Sequence, residues 1–82
     1  MNITLRQLRA FLAVSQHGGF ARAGEHVGLT QPAISRRIRE LEDNLGVRLL
    51  DRTTREVVLT ATGQRLAGEL ERVLETLDTL LA

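Results

Sequence analysis

Thr30-Gln31-Pro32-Ala33-Ile34-Ser35-Arg36-Arg37-Ile38-Arg39 is the stretch that decides how this sequence folds. Thr30 is a good helix N-cap, because its hydroxyl can accept one of the N–H groups that a first turn leaves without a partner. Pro32 suits the first turn, where a missing N–H costs no helical hydrogen bond. Ile34, Ile38, Leu41 and Leu45 then follow at steps of 4, 3 and 4. That spacing draws a single apolar stripe along a helix. Asn44-Leu45-Gly46 reads as its stop.

With about 3.6 residues per turn, the outward N-terminal half of this helix shows Pro32, Ser35, Arg36 and Arg39, with Gln31 at the tip. Glu40, Glu42 and Asp43 fall only in the second half. Acids near a helix C-terminus oppose the macrodipole, so helix stability does not put them there. A helix whose first turns enter a DNA groove, with its last turns outside, explains the gradient. In the major groove Gln matches adenine and Arg matches guanine through paired hydrogen bonds. The free N–H groups and positive end of the dipole also suit phosphate. The alternative is a solvated face laced by Arg36–Glu40 and Arg39–Asp43 pairs, each worth roughly a few tenths of a kcal/mol.

Upstream, Thr4 and Gln7 form a capping-box start, and Leu5, Leu8, Phe11, Leu12 and Ser15 recur at helical spacing. His17-Gly18-Gly19 stops that helix. A short helix then fits Phe20 to His26, burying Phe20, Ala23 and Val27, and Gly28 ends it. Downstream, Val47-Arg48-Leu49-Leu50 and Val57-Val58-Leu59-Thr60 read as the two strands of a hairpin. Arg52, Thr53 and Arg55 stand at its loop. Arg there suits a narrow minor groove or a phosphate; alternatively Asp51 and Glu56 neutralise a merely solvated loop. The order predicts a mainly α fold. It is a winged helix-turn-helix of three helices plus a β-hairpin wing over residues 1–60, followed by a long helix over 61–82.

That last helix opens at Thr60-Ala61-Thr62-Gly63 and should run roughly 33 Å. Leu66, Leu70, Val73, Leu77 and Leu80 step along it as a heptad seam, broadened by Leu74 and Leu81. A helix packed on its own domain carries a similar stripe. The length argues instead for pairing with a second copy, a dimerisation or linker helix.

Composition narrows the function classes. Eighty-two residues make one domain, 43% apolar and 26% charged. No cysteine is present, which removes disulfides and thiolate sites. No apolar run reaches the roughly 18 residues of a membrane span, and no signal peptide opens the chain, so a cytoplasmic location without membrane partners is expected. Trp and Tyr are absent, which disfavours base-stacking binders of single strands. All eleven basic residues are Arg. Residues 1–55 hold nine Arg and five acids, a balance of +4, whereas residues 56–82 carry −3. A basic front suits an anionic partner. His17 and His26 sit at helix ends without a second ligand at helical spacing, and Ser15 and Ser35 lack a base. An enzyme, a metal site and a cofactor are therefore not expected. The rival class is a protein-interaction module in which the last helix does the binding and the basic face is incidental.

Several runs together resemble the start of a LysR-type transcriptional regulator. They are Leu5-Arg6-Gln7-Leu8-Arg9-Ala10-Phe11-Leu12-Ala13-Val14, Gly19-Phe20-Ala21-Arg22-Ala23, Leu29 through Ile38 with Leu41-Glu42, Leu45 through Arg52, and Leu59 through Gly63. The resemblance implies a bacterial regulator of transcription that binds promoter DNA as a homodimer, usually within a tetramer. It implies Gln31, Pro32, Ser35 and Arg36 in the major groove, with Ala33 and Arg37 as backbone or base neighbours and Arg52 as the wing Arg at the minor groove. It also implies a linker helix that pairs subunits antiparallel, and a further C-terminal domain, outside this chain, that senses a small molecule. Three residues depart from the pattern: Ala21 for a frequent Ser or Thr, Gly24 for a common Ala, and Leu50 for a frequent Phe. Gly24 should cost its helix about 1 kcal/mol, and Leu50 should loosen the packing under the wing.

Overall fold

A computed structural model describes residues 2–52 and 57–82. Four helices and one hairpin follow in chain order. They are α1 (Leu5–His17), α2 (Phe20–Val27), α3 (Gln31–Leu45), β1 (Leu50–Asp51), β2 (Val58–Leu59) and α4 (Ala61–Leu81).

Local chemistry sets the helix starts. The Thr4 hydroxyl accepts from Gln7 N at 3.1 Å, and the Gln7 side chain accepts from Thr4 N at 3.2 Å, closing the capping box of α1. Thr30 caps α3 by accepting from Ala33 N at 3.3 Å, and Thr60 caps α4 by accepting from Gly63 N at 3.0 Å. The first three helices stop at Gly18, Gly28 and Gly46, all with positive φ, the left-handed turn that glycine adopts without a Cβ penalty.

The core forms where α1, α2 and α3 cross, with α4 laid along α1. Phe11, Ile34, Ile38, Leu41, Leu49 and Leu50 are fully buried. Each such aliphatic or aromatic side chain contributes roughly 1.5–3 kcal/mol relative to exposure. Leu50 of β1 is fully sealed from solvent. The buried arc of α1 is Gln7, Ala10, Phe11, Ala13 and Val14, whereas Leu5 is 46% exposed. Of the residues read at helical spacing, Phe11 is buried, Leu8, Leu12 and Ser15 are half-buried, and Leu5 lies outside the arc. A helix touched by three others buries a broad arc, and contact on several sides draws it away from Leu5.

Two glycines mark close approaches. A Cβ on Gly24 would collide with the Leu29 carbonyl oxygen, because the chain folds back after Gly28 and Leu29 N donates to Gly24 O at 2.8 Å. The departure from the common Ala therefore has a steric reason. A Cβ on Gly63 would strike the Leu49 carbonyl oxygen, so the first turn of α4 lies directly against the chain entering β1.

The strands are shorter than expected. β1 and β2 pair antiparallel through Leu50↔Leu59 and Asp51↔Val58. Upstream of β1 the backbone turns to other partners: Thr60 Oγ1 donates to Arg48 O at 2.7 Å, and Thr60 N to Leu49 O at 3.0 Å.

Candidate nucleic-acid interface

The N-terminal half of α3 presents its polar arc outward. Gln31, Pro32, Arg36 and Arg39 are exposed, while Ala33, Ser35 and Arg37 are half-buried at the two edges of the arc. Thr30 is exposed, with its hydroxyl committed to the cap. The alternative of an ion-paired face is not what forms: among the described residues no ion pair engages Arg36 or Arg39. Glu40 instead accepts from Gln7 Nε2 of α1 at 3.3 Å.

Basic groups flank this arc on both sides. Arg39, Arg48 and Arg52 share an open recess with Glu42, Asp43, Gly46 and Val47. Arg6, Arg36 and Arg37 border another between α1 and α3. Arg6 and Arg48 escaped the sequence reading. Arg6 lies on an unrelated helix, and Arg48 sits in a run read as strand. Gln31 shares a third recess with Gly19, Ala21 and Arg22, where α2 begins without a side-chain cap. The N-termini of α2 and α3 thus open close together.

Arg52 directly follows β1, and its guanidinium is turned toward α2 and α3. Its side chain is only 18% exposed. It donates to Ser35 Oγ at 3.4 Å and to Glu42 Oε1 at 3.5 Å, and its guanidinium lies 5.6 Å from the centre of the Phe20 ring. Burial lowers its pKa, and neighbouring Arg39 and Arg48 push the same way, while Glu42 opposes. Thr53 and Arg55, the other expected loop contacts, lie outside the described residues.

Glu42 is the residue the sequence reading most misjudged. It is buried, not a solvated acid on the outer face. Its Oε2 accepts from Leu49 N at 2.7 Å and Leu50 N at 3.2 Å, joining the end of α3 to β1. His17 and His26 are also closer than their spacing suggests, with ring centres 4.5 Å apart. Among the described residues no group of three or more His, Asp or Glu could hold a metal.

The expected α4 seam divides in two. Leu70 and Leu74 are buried on the protein's own core side, and Leu66 and Leu77 are partly buried. Val73, Leu80 and Leu81 remain 59–76% exposed. The bidentate Arg9–Asp78 pair, with its shorter contact at 2.8 Å, holds the far end of α4 to α1. Among the described residues no helix is long and apolar enough to cross a membrane.

The comparisons agree with this geometry. The family described as bacterial regulatory helix-turn-helix protein, lysR family, matches residues 5–64. YfeR, an HTH-type transcriptional regulator of Shigella flexneri, is 57% identical over 99% of this chain, which spans 26% of that relative's length. The BenM DNA-binding domain in complex with benA site 1 DNA superposes with a TM-score of 0.89 at 35% identity, covering 95% of this chain and 88% of that one. DarR of Vibrio fischeri, also solved with DNA, gives 0.88 at 33% identity, covering 99% of this chain and 28% of its own. The matched relatives regulate transcription and are not enzymes. By family match and by fold, this chain belongs to the lysR family of bacterial regulatory helix-turn-helix proteins.

Proposed function

We propose that this chain binds double-stranded promoter DNA sequence-specifically, with the first half of α3 in the major groove. Gln31, Pro32, Ser35 and Arg36 face base edges in this reading. Thr30, Ala33, Arg37 and Arg39 lie along the groove walls, and Thr53 and Arg55, which are outside the described residues, are the contacts assigned to the minor groove. The observation that carries the reading is the exposed arc of Arg36 and Arg39, unpaired among the described residues and flanked by Arg6 and Arg48. Unpaired arginines on the outward side of a capped helix suit a polyanion better than they suit helix stability. Relatives solved on DNA support the same reading.

Residues 1–60 form the DNA-binding unit in this account, and 61–82 the linker helix through which two copies pair. Val73, Leu80 and Leu81 are the apolar groups free to make that contact. A tetramer, a small-molecule effector acting through a further domain and a cytoplasmic location complete the proposal. Duplex affinity measured against salt tests it. Neutralised phosphates give a log–log slope of about −0.9 each, so a steep fall is expected. A flat response favours a protein-interaction module.

A further inference from the structure

Arg52 is placed oddly for a wing arginine. Its guanidinium is held between Phe20 of α2 and Ser35 and Glu42 of α3, and its Nε–H is buried with no hydrogen-bond partner among the described residues. A carboxylate at 3.5 Å offsets its charge. A guanidinium mostly withdrawn from solvent and already facing a carboxylate is less suited to a phosphate than exposed Arg36 or Arg39. Packing alone does not explain it either, since an apolar side chain of similar length would leave no donor unsatisfied.

What Arg52 does touch is the hydroxyl of Ser35, which sits half-buried at the edge of the exposed arc of α3. A guanidinium can only donate, so the serine oxygen is the acceptor. Its single hydrogen is then left for a partner outside. Accepting from a cation also polarises the O–H and strengthens it as a donor.

We propose that Arg52 is a positioning residue that fixes Ser35 as a hydrogen-bond donor, so that this point of α3 reads an acceptor edge on the duplex. This rests on the DNA-binding reading above. Guanine, adenine N7 and thymine O4 offer acceptors in the major groove, whereas cytosine offers only its amino donor. Ser35 therefore discriminates against cytosine at the base it faces, and Arg52 sets that preference without touching DNA.

Wild type, Arg52→Met, Ser35→Ala and the double variant are compared on duplexes drawn from a randomised pool, with affinity followed against salt. Arg52→Met is expected to keep the wild-type salt slope and to lose about fivefold discrimination against cytosine at one position, the value of one hydrogen bond. The double variant is expected to lose no more discrimination than Ser35→Ala. A slope reduced by about 0.9 makes Arg52 a phosphate contact and overturns the inference, as does a loss that adds to that of Ser35→Ala. If Arg52→Met gives no cooperative melt, Arg52→Lys takes its place. Lysine keeps the charge but not the planar fork, so the same loss at unchanged slope supports the inference, and unchanged discrimination refutes it. A wild-type chain without salt-dependent duplex binding defeats the DNA-binding reading and this inference together. A wild type that binds, with an additive Arg52 variant, defeats the inference alone.

Discussion

The carboxylate of Glu42 accepts the backbone N–H of Leu49 at 2.7 Å, so one buried side chain joins the last turn of α3 to the entry of the hairpin. The same oxygen takes Leu50 N, and the other takes Arg52. The angle between recognition helix and wing is thereby set by a polar clamp as well as by apolar packing. Removing it leaves two buried amides without a partner. Glu42→Ala is expected to cost about 2–4 kcal/mol in chemical denaturation, and Glu42→Gln, which keeps one acceptor oxygen, about half as much. Equal stability of Glu42→Ala and wild type would show that the clamp contributes nothing.

The two glycines of α4 give opposite expectations. Gly63 lies against the Leu49 carbonyl, while a Cβ on Gly68 meets nothing. Gly63→Ala is expected to destabilise by about 1–3 kcal/mol through overpacking. Gly68→Ala is expected to stabilise by about 0.5–1 kcal/mol through helix propensity. Thermal melts of the two variants read both signs.

The Arg9–Asp78 pair gives the end of α4 a dependence on acid. The hydrogen bond from Arg9 holds the Asp78 carboxyl below its ordinary value of 3.8, with charge attraction adding and partial desolvation opposing. A carboxylate with a lowered pKa stabilises the fold above its ordinary value, and that contribution is lost as pH falls through the lowered one. Backbone amide shifts of residues 77–81 are expected to move toward frayed values below pH 3.8. In Asp78→Asn they should sit there at every pH.

The division of the α4 seam separates folding from self-association. Val73→Glu and Leu80→Glu alter exposed positions and are expected to leave the melt unchanged while lowering the light-scattering mass at high concentration. Leu70→Glu buries an unpaired charge and is expected to unfold the chain. A mass equal to one chain for the wild type at high concentration would remove the pairing role altogether.

What the sequence made legible was local. The Thr4, Thr30 and Thr60 caps and the glycine stops follow from residues three or four apart, and the helices appeared where those signals stood. The α3 arc was legible because one stripe, Ile34 to Leu45, defines its opposite face. Less legible was whatever depends on elements meeting. Glu42 and Arg52 read as surface charges because their partners lie seven to seventeen positions away. Leu70 and Leu74 read as seam because a heptad stripe does not say which neighbour covers it. Arg6 joined the basic surface only once α1 had crossed α3.

Whether the exposed start of α3 reads bases is decided by Arg36→Ala. Affinity is measured at one salt concentration for a duplex selected from a random pool and for unselected duplex. The variant is expected to lose about 1–3 kcal/mol more on the selected site than on unselected DNA. Equal losses on both would make Arg36 one more phosphate contact and leave α3 without a base-reading role.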